Sequence, residues 1–438
     1  MLTRKVENII RQHLIDNNSK ILLVEGARQT GKTFIIDYVC KNMFENYIKI
    51  DLIEDSIKER IFADAKTVDD FFLRLSFGYG GQLSKPGKKL IFIDEIQVYP
   101  HMLTMLKFLG ERKDYVFIAS ASMLGIALRE TSSIPMGAIK KIRMYPLDFE
   151  EFLWANGFAQ DAIIHIKINF EKKQTLSDSL HYKLIDLFRK YLIIGGMPQA
   201  VDSFINKNNI KLVSDIQSEI VEYYRSDCSK YDEEKKLHVR NVYDLIPSTL
   251  ENKKKRIIIK NIQGINGKYF GDYVNDFEYL ISSGIALDVH AVSNPVFPLL
   301  ETTKKNLLKL YLNDVGLLTN LLYAGNSLHV LNDTSSVNLG SVYECAVAME
   351  LAAHNHKLRY FDNKQKGEVD FLIDDAANLT TLPIEVKSGK DYTVHSALNA
   401  LLSNTDYNIK KGVVLSNQQQ IYEENNILYA PIYNVMFL

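Results

Sequence analysis

An apolar strand followed by a glycine-rich loop and a helix is the feature that most limits how this chain can fold. The loop fits the pattern G-x-x-x-x-G-K-[ST] without a mismatch, and it follows the apolar run Ile21–Val24. Glycine lets the backbone turn tightly, so that successive N–H groups can point at phosphate oxygens. The residues expected to cradle the phosphates are Gly26, Ala27, Arg28, Gln29, Thr30, Gly31, Lys32 and Thr33. We therefore expect a phosphate-binding P-loop between a buried strand and a helix.

An acidic pair further along the chain suits a metal-bound triphosphate. Asp94 and Glu95 end a second apolar strand, Lys89–Glu95. We expect Lys32 to reach the β- and γ-phosphates of ATP, and Thr33 to hold Mg²⁺ together with Asp94. Glu95 is then the candidate base that orients and deprotonates the attacking water. Neighbouring strand side chains face opposite ways, so the two acids can serve both roles only if the chain bends between them. The alternative is that the pair caps the helix that follows.

Two serines and three arginines are further candidates at this site. Ser120 and Ser122 end the next strand, where they could sense the γ-phosphate or the water, although polar residues are common in any loop. The arginines that could neutralise charge in the transition state are Arg28, Arg129 and Arg143, and the sequence does not choose among them.

The composition is that of an ordinary globular protein of several domains. The chain has 438 residues, of which 46% are hydrophobic and 24% charged. A net charge of -1 gives no global attraction to nucleic acid or to anionic membranes, so any basic surface must be local. Three widely separated cysteines provide neither a disulfide framework nor a metal site, which favours a reducing cytoplasm. We find no signal peptide and no apolar run long enough for a transmembrane helix, and we expect no membrane partner.

Carboxylates and a lysine on successive predicted strands mark the end of the chain. Glu385 and Lys387 share one face of a strand, and Asp370 on the strand before can face them. Glu344 lies on the preceding helix, and Glu368 is a spare ligand. This order of elements resembles the PD-(D/E)xK nucleases, in which Glu344, Asp370 and Glu385 would hold Mg²⁺ or Mn²⁺. Lys387 would then position the water that the metal acidifies.

Other interpretations of this region stay open. The E-x-K spacing recurs at Glu171/Lys173, Glu233/Lys235 and Glu251/Lys253, so the spacing alone is weak. A solvated strand face would show the same alternation, and a nuclease-like fold can persist as a binding or scaffold module without cleavage. The basic run of residues 253–256 could contact DNA phosphates, or it could be a solvated loop.

Five segments together resemble one family: bacterial and archaeal AAA-type P-loop ATPases whose C-terminal half is a domain of unknown function. The matching segments cover residues 26–33, 93–97, 145–152, 194–198 and 310–318. The family is similar to signal-transducing and archaeal ATPases with a helical lid and a winged helix. In such relatives the Gly-Gly-x-Pro turn packs near the adenine, which implies a nucleotide role for Pro198; the alternative is a simple helix stop. Ala121 replaces the usual glycine before the sensing Ser122.

These patterns predict an α/β protein built from a P-loop NTPase parallel sheet and three further regions. We expect a P-loop ATPase domain over residues 1–150, a helical lid over 151–205, a winged-helix-like domain over 206–330 and a restriction-endonuclease-like α/β domain over 331–438. The predicted function is hydrolysis of Mg-ATP coupled to a DNA-directed, nuclease-like C-terminal domain. The alternative is an ATP-gated interaction switch that cuts nothing and binds a protein partner or a second copy of the chain. A small-molecule kinase fits the length less well.

Overall fold

The computed structural model describes residues 1–16, 20–122, 137–230, 236–263, 268–323, 326, 330–331, 339–363, 367–389 and 391–438. The chain divides into two compact units. The first unit comprises Thr3–Tyr145 and Ser282–Gly284, and the second comprises Met1–Leu2, Pro146–Ile281 and Ile285–Leu438.

The first unit is a parallel sheet covered by helices. Its strands are β1 (Ile21–Glu25), β2 (Tyr47–Asp51), β3 (Lys89–Asp94), β4 (Tyr115–Ala121) and β5 (Ile139–Arg143). Its helices are α1 (Lys5–Ile15), α2 (Lys32–Met43), α3 (Leu52–Ile57), α4 (Val68–Leu83) and α5 (Pro100–Leu109), with a 3-10 turn at Ile96–Val98. Over the described residues the five strands are parallel and lie in the order β2-β3-β4-β1-β5. The predicted α/β fold with a parallel sheet is confirmed.

Apolar residues occupy both faces of this sheet. In β1, Ile21 and Leu23 pack into one buried cluster, whereas Leu22 and Val24 pack into another on the opposite face. Such near-continuous apolar strands are expected where helices cover a parallel sheet on both sides. The carboxyl ends of the neighbouring strands β1, β3 and β4 consequently meet at one edge of the sheet.

Two local details differ from the sequence prediction. The sequence of residues 47–52 predicts a strand that ends at Leu52. Leu52 instead begins α3, because the Asp51 side chain accepts hydrogen bonds from the N–H groups of Ile53 and Glu54 and caps that helix. Strand β5 was not predicted. It is an edge strand with exposed lysines in the middle, so its sequence shows no continuous apolar run.

The second unit begins with helices and continues into a mixed sheet. Its helices are α6 (Phe149–Ala155), α7 (Gln160–Glu171), α8 (Asp178–Ile194), α9 (Pro198–Lys207), α10 (Ile210–Lys230), α11 (Lys236–Leu250), α12 (Lys260–Gln263), α13 (Val274–Ser282), α14 (Val315–Tyr323), α15 (Gly340–Ala353) and α16 (Ser396–Leu402). Its strands are β6 (Ala286–Val292), β7 (Thr303–Leu312), β8 (Arg359–Asn363), β9 (Gly367–Asp375), β10 (Thr380–Lys387), β11 (Gly412–Ser416), β12 (Tyr422–Glu424) and β13 (Ile427–Pro431).

One sheet joins the middle of the chain to its C-terminal region. In the described part of the second unit, eight strands lie in the order β12-β13-β11-β10-β9-β8-β6-β7. Strand β6 pairs antiparallel with β7 and parallel with β8. The predicted winged-helix-like and C-terminal regions therefore share this sheet, and the boundaries of the four predicted regions stay a prediction. No described helix is both long and apolar enough to cross a membrane.

The turn after α8 needs two glycines because three chain segments meet there. Gly195 has a φ of +70°, and a Cβ atom on it would lie 2.1 Å from Oδ1 of Asp314. A Cβ atom on Gly196 would lie 2.0 Å from the carbonyl oxygen of Leu147. The Gly196 N–H donates to Oδ2 of Asp314 at 2.6 Å. Close packing thus explains the glycine pair, and the nucleotide role of Pro198, the first residue of α9, stays a prediction.

Candidate functional site

The loop after β1 can adopt its shape only with glycine at two positions. A Cβ atom on Gly26 would lie 2.2 Å from the carbonyl oxygen of Met144, so the backbone there has no room for a side chain. Gly31, with a φ of 89°, is in the left-handed region immediately before α2. The loop backbone therefore leads directly into a helix N-terminus, where free N–H groups favour an anion.

Lys32 is buried and held by the loop itself. Its ammonium donates to the carbonyl oxygens of Gly26 at 3.0 Å and Ala27 at 2.7 Å. Burial lowers the pKa of Lys32 to about 8, although the nearby carboxylates of Glu95 and Asp94 act in the opposite direction. An ammonium in this position, with few negative partners, gains stability when an anion approaches.

The predicted magnesium-binding side chains lie together. Thr33 Oγ1 donates to Oδ1 of Asp94 at 3.0 Å, and the Ser120 hydroxyl donates to the same oxygen. The Lys49 ammonium lies 3.2 Å from the other carboxylate oxygen, Oδ2. Burial raises the pKa of Asp94, and the hydrogen bond from Ser120 and the charge of Lys49 only partly offset it. The Lys49 ammonium therefore balances the negative charge of Asp94, the acid that we expect to bind a divalent ion.

The chain does bend between the two acids. Glu95 has φ and ψ of 56° and 50°, a left-handed conformation that ends β3. The Glu95 carboxylate accepts hydrogen bonds from the Ser122 hydroxyl and from Nε2 of Gln97. Burial opposes its ionisation, but the positive charge of Lys32 and these hydrogen bonds outweigh burial and lower the pKa of Glu95. Glu95 is thus an oriented, ionised carboxylate.

Gln97 is a site residue to which the sequence assigned no role. The amide reaches back two positions to Glu95 and lies 3.3 Å from Ser122 Oγ. Only the tight 3-10 turn at Ile96–Val98 brings it there. Its position two residues after the acid pair was the one available signal.

An open cleft of ≈ 470 Å³ lies beside the loop. The residues that line it are Thr33, Asp51, Ile53, Glu54, Ile57, Lys58, Asp94 and Glu95. It combines the hydroxyl and carboxylates of the predicted magnesium site with two isoleucines, so it offers both polar and apolar contacts to a ligand.

The structure does not single out one of the three arginines that are candidates for the transition-state cation. Arg28 lies in the loop, and its positive charge contributes to the low pKa of Glu95. Arg143 ends β5 opposite Glu25 of β1, with its guanidinium 5.7 Å from the centre of the Tyr145 ring. Arg129 lies outside the described residues.

In the second unit, the structure brings together the acids and the lysine predicted at the end of the chain. Strands β9 and β10 are antiparallel, with Phe371 opposite Ile384, and Asp370 Oδ2 accepts a hydrogen bond from the Val386 N–H at 2.9 Å. Lys387 Nζ lies 2.8 Å from Oε1 of Glu385. The E-x-K pair therefore faces Asp370 across the two strands.

Two more lysines, both from outside strands β9 and β10, neutralise the remaining acids. Glu344 on α15 forms an ion pair with Lys255 and accepts a hydrogen bond from the Tyr311 hydroxyl at 2.8 Å. Glu368 forms an ion pair with Lys309, whose side chain is 0% exposed. The sequence predicted neither pair, because each joins residues far apart in the chain. We call Glu344, Glu368, Asp370 and Glu385 the carboxylate cluster.

Protonation differs among these acids. Burial, together with the charges of Glu344 and Glu385, raises the pKa of Asp370 well above its ordinary value. Burial also raises the pKa of Glu385, although Lys387 opposes it. For Glu344, burial acts in the same direction, but Lys255 and Lys309 outweigh it and lower the pKa. Oε2 of Glu385 is buried, and no described residue donates a hydrogen bond to it.

With Lys255, Lys309 and Lys387 beside it, the carboxylate cluster brings no three ligand atoms within 4.8 Å of one another in the part of the chain that the structure describes. Among the residues that the structure describes, one set of three potential metal ligands has its donor atoms within 4.8 Å of one another: Asp148, Glu350 and His354. Two of these act at the start of α6, where Asp148 accepts from the Glu151 N–H at 2.8 Å and Glu350 accepts from the Phe149 N–H. This set is therefore explained as helix capping.

The basic run of residues 253–256 does not form a single surface. Lys253 and Lys254 are exposed, whereas Lys255 points to Glu344. The Arg256 guanidinium lies 3.7 Å from Oδ2 of Asp362. Half of the predicted phosphate-contacting cluster therefore pairs with acids of the same unit.

Comparisons with known proteins divide the chain into three matched parts. Residues 18–153 match the family described as AAA domain. Residues 185–328 match a domain of unknown function, DUF8612, and residues 339–435 match another, DUF4143. No curated protein matches the sequence.

Several solved structures are similar to this chain at low identity. The Walker-type ATPase PABY2304 of Pyrococcus abyssi is 13% identical with a TM-score of 0.45, covering 74% of this chain and 96% of its own. The Hsp104–ADP complex of S. cerevisiae is 14% identical with a TM-score of 0.30, covering 81% and 44%. Pif1 helicase from Candida albicans is 12% identical with a TM-score of 0.25, covering 40% and 49%. The family matches therefore identify an AAA-type P-loop ATPase domain at the N-terminal end of the chain, followed by two domains of unknown function.

Proposed function

We propose that this protein binds and hydrolyses Mg-ATP at the loop after β1, and that hydrolysis is coupled to a DNA-directed C-terminal domain. The observation that carries the first part is the pairing of Thr33 Oγ1 with Asp94 at 3.0 Å beside a separately oriented Glu95. One acid is positioned for the metal, and the next is positioned for a water. A single strand end thus has the two functions that hydrolysis requires.

The residues present fit Mg-ATP. Gly26 and Gly31 leave the loop backbone free to surround phosphate oxygens, and the Lys32 ammonium can exchange its carbonyl partners for the β- and γ-phosphates. Thr33 and Asp94 would hold Mg²⁺, which supplies positive charge on the phosphate oxygens when bound. We further propose that Pro198 contributes to the adenine site, as the family resemblance implies.

Glu95 has the features of the base for the water. Its pKa is low, so at neutral pH it is an anion that accepts a hydrogen bond from the water and orients it. Ser122 and Gln97 hold one of its carboxylate oxygens and thereby leave the other available. Ser122 would also respond to loss of the γ-phosphate through this contact. Arg28, Arg129 and Arg143 remain the candidates for the transition-state cation.

ATP binding and turnover by the purified full chain test this proposal. We expect Lys32→Ala to abolish ATP binding, because the buried ammonium is lost. We expect Glu95→Gln to bind ATP normally and to hydrolyse it at least 100-fold more slowly, as removal of a general base usually does. A wild-type chain that neither binds nor hydrolyses ATP would sink the proposal.

For the C-terminal domain we propose metal-dependent chemistry on DNA phosphates. Glu344, Asp370 and Glu385 would hold Mg²⁺ or Mn²⁺, and Lys387 would position the attacking water. Two observations support this proposal. Oε2 of Glu385 is buried and accepts no hydrogen bond from a described residue, and the pKa of Asp370 is raised. A bound cation would pair with that oxygen and would stabilise the ionised form of Asp370. A bound divalent ion would acidify a water and stabilise the scissile phosphate.

Cleavage of single- and double-stranded DNA tests the second part. The assay uses Mn²⁺ or Mg²⁺, with and without ATP, and compares wild type with Asp370→Ala and Lys387→Ala. Loss of cleavage in both variants supports a nuclease. Lys32→Ala in the same assay shows whether ATP controls it, because that variant leaves the C-terminal residues intact.

A second function is favoured by one observation. Lysines already pair with three acids of the carboxylate cluster, which is the arrangement of a closed structural charge network. Under this alternative, ATP changes the surface that the chain presents to a protein partner or to a second copy, and no phosphodiester is cut. ATP turnover without cleavage of any DNA, together with nucleotide-dependent association, would favour it.

A further inference from the structure

Three polar contacts join residues 251–256, which follow α11, to the C-terminal region. We call residues 251–256 the basic loop. Glu251 accepts a hydrogen bond from the Ser341 hydroxyl, Lys255 pairs with Glu344, and Arg256 lies 3.7 Å from Asp362. These contacts place a segment from the middle of the sequence on the carboxylate cluster.

Lys255 differs from the lysines that precede it. Lys253 and Lys254 are exposed, whereas the Lys255 side chain is only 18% exposed. Lys255 has a φ of +48°, in the left-handed region that residues other than glycine rarely adopt. Such a conformation persists where surrounding contacts fix it. The turn of the backbone directs this one lysine inward.

The other two cations of the carboxylate cluster belong to the sheet. Lys309 lies on β7 with its Nζ 4.4 Å from the centre of the Tyr360 ring, and its side chain is fully buried beside Glu368. Lys387 lies on β10 beside Glu385. Neither can leave without disturbing the sheet. Lys255 lies on a loop whose preceding residues are in solvent, so it can withdraw while the strands stay paired.

Lys255 also has the charge environment of a cation within the cluster. It pairs with Glu344, and the carboxylates of Asp370 and Glu368 also act on its ammonium. Its ammonium therefore interacts with several acids at once, as a metal ion there would. Two cations that need the same oxygen of Glu344 cannot occupy that place together.

We propose that Lys255 occupies the cation position of the carboxylate cluster, so that a divalent ion binds there only when the basic loop withdraws. This inference rests on the proposed metal chemistry of the C-terminal domain and describes how that site is kept closed. The loop acts as an internal competitor, and metal binding and the Lys255–Glu344 pair exclude each other.

Mn²⁺ binding to the full chain without nucleotide tests the inference. Free Mn²⁺ is measured by electron paramagnetic resonance, and the part of the binding lost in Asp370→Asn is assigned to the carboxylate cluster. We expect Lys255→Met, which keeps the length of the side chain and removes its charge, to bind Mn²⁺ at this site at least tenfold more tightly than wild type. Lys254→Met, one position earlier on the exposed side of the loop, is the matched control and should match wild type.

The outcomes separate the two proposals. If the Asp370-dependent affinity for Mn²⁺ is the same in wild type and Lys255→Met, the proposed role of Lys255 is wrong and the proposed metal site stands. If neither protein shows Mn²⁺ binding that depends on Asp370, both the proposed metal site and the inference are wrong.

A second measurement uses only the wild-type chain, so it tests the inference even if Lys255→Met does not fold. Lysine acetylation is mapped by mass spectrometry with and without Mn²⁺. We expect Mn²⁺ to raise the labelling of Lys255 several-fold and to leave Lys254 unchanged. Unchanged labelling of Lys255 when Mn²⁺ is bound contradicts the proposed exclusion.

Discussion

Ser122 donates its hydroxyl hydrogen to the same oxygen of Glu95 that accepts from Gln97. The serine directly follows β4 and the acid directly follows β3, so two neighbouring strands determine the direction of one carboxylate. A carboxylate that is held through one oxygen presents its second oxygen in a fixed direction. The arrangement explains why a serine at the end of β4 matters even without touching a phosphate.

Removing this support should slow turnover without weakening nucleotide binding. We expect Ser122→Ala to lower kcat for ATP by about tenfold, less than loss of the base itself, because Gln97 still orients Glu95. The ATP dissociation constant should stay within twofold of wild type. Steady-state kinetics and equilibrium titration give the two numbers. A weaker ATP affinity with unchanged kcat would instead assign Ser122 to binding.

ATP binding should take up a proton in mildly alkaline solution. Without ligand, burial holds the pKa of Lys32 at about 8, below its ordinary value, so the ammonium loses its proton as pH rises through 8. Phosphate oxygens stabilise the charged form and raise that pKa. Apparent affinity should therefore fall as pH increases above 8. Calorimetry at pH 8.5 in buffers of different ionisation enthalpy measures the uptake, and we expect none from this residue in Lys32→Arg, which stays charged.

The glycine pair after α8 should be intolerant of a methyl group. A Cβ atom on Gly196 would lie 2.0 Å from the backbone oxygen of Leu147, which cannot move away as a flexible side chain can. We expect Gly196→Ala to destabilise the second unit by about 2–4 kcal/mol, the range for overpacking and a disturbed buried hydrogen bond. Thermal melting followed by circular dichroism measures it. Gly78→Ala on α4, with nothing within 4 Å of the added atom, is the control and should be neutral or slightly stabilising.

The acid in contact with that turn should make stability depend on pH. Burial raises the pKa of Asp314 to about 6, although backbone N–H groups, including that of Gly196, oppose the shift. A carboxyl with a raised folded pKa stabilises the fold below its unfolded value near 3.8, and this contribution is lost as pH rises through 6. The ionisation of Asp314 should therefore lower the melting temperature as the pH rises from 4 to 6. Asp314→Asn should remove that part of the slope.

Lys309 should be essential to the fold of the second unit. Its ammonium is fully buried against Glu368, so removing the charge leaves the half-buried carboxylate of Glu368 without its cation. We expect Lys309→Met to cost about 3–5 kcal/mol, the usual result of breaking one side of a buried ion pair. Lys304→Met, at an exposed position of the same strand, should change the melting temperature little. Equal melting temperatures for the two variants would show that the pair contributes nothing to the fold.

Local patterns revealed the ATPase unit more fully than the second unit. The loop at Gly26–Thr33 and the acids Asp94 and Glu95 are short runs whose chemistry follows from residue type and spacing, so sequence alone brought them together. The bend at Glu95 was required by the alternation of strand side chains, and the backbone shows it.

What the sequence missed depends on contacts between distant segments. Lys255 reaches Glu344 across 89 positions, and Asp314 meets Gly196 across 118. No periodicity or spacing rule relates such pairs. Gln97 was missed for a different reason, since only a tight 3-10 turn returns its amide to an acid two positions earlier.

The parallel pairing of β6 with β8 has a consequence for how the chain can be divided. A fragment that began after residue 330 would contain β8 but not β6, and the hydrogen-bonding edge of β8 would be open to solvent. Open edges of this kind recruit strands from other molecules. The C-terminal quarter of the chain is therefore a poor candidate for independent expression, and a fragment that contains β8 should also contain β6 and β7.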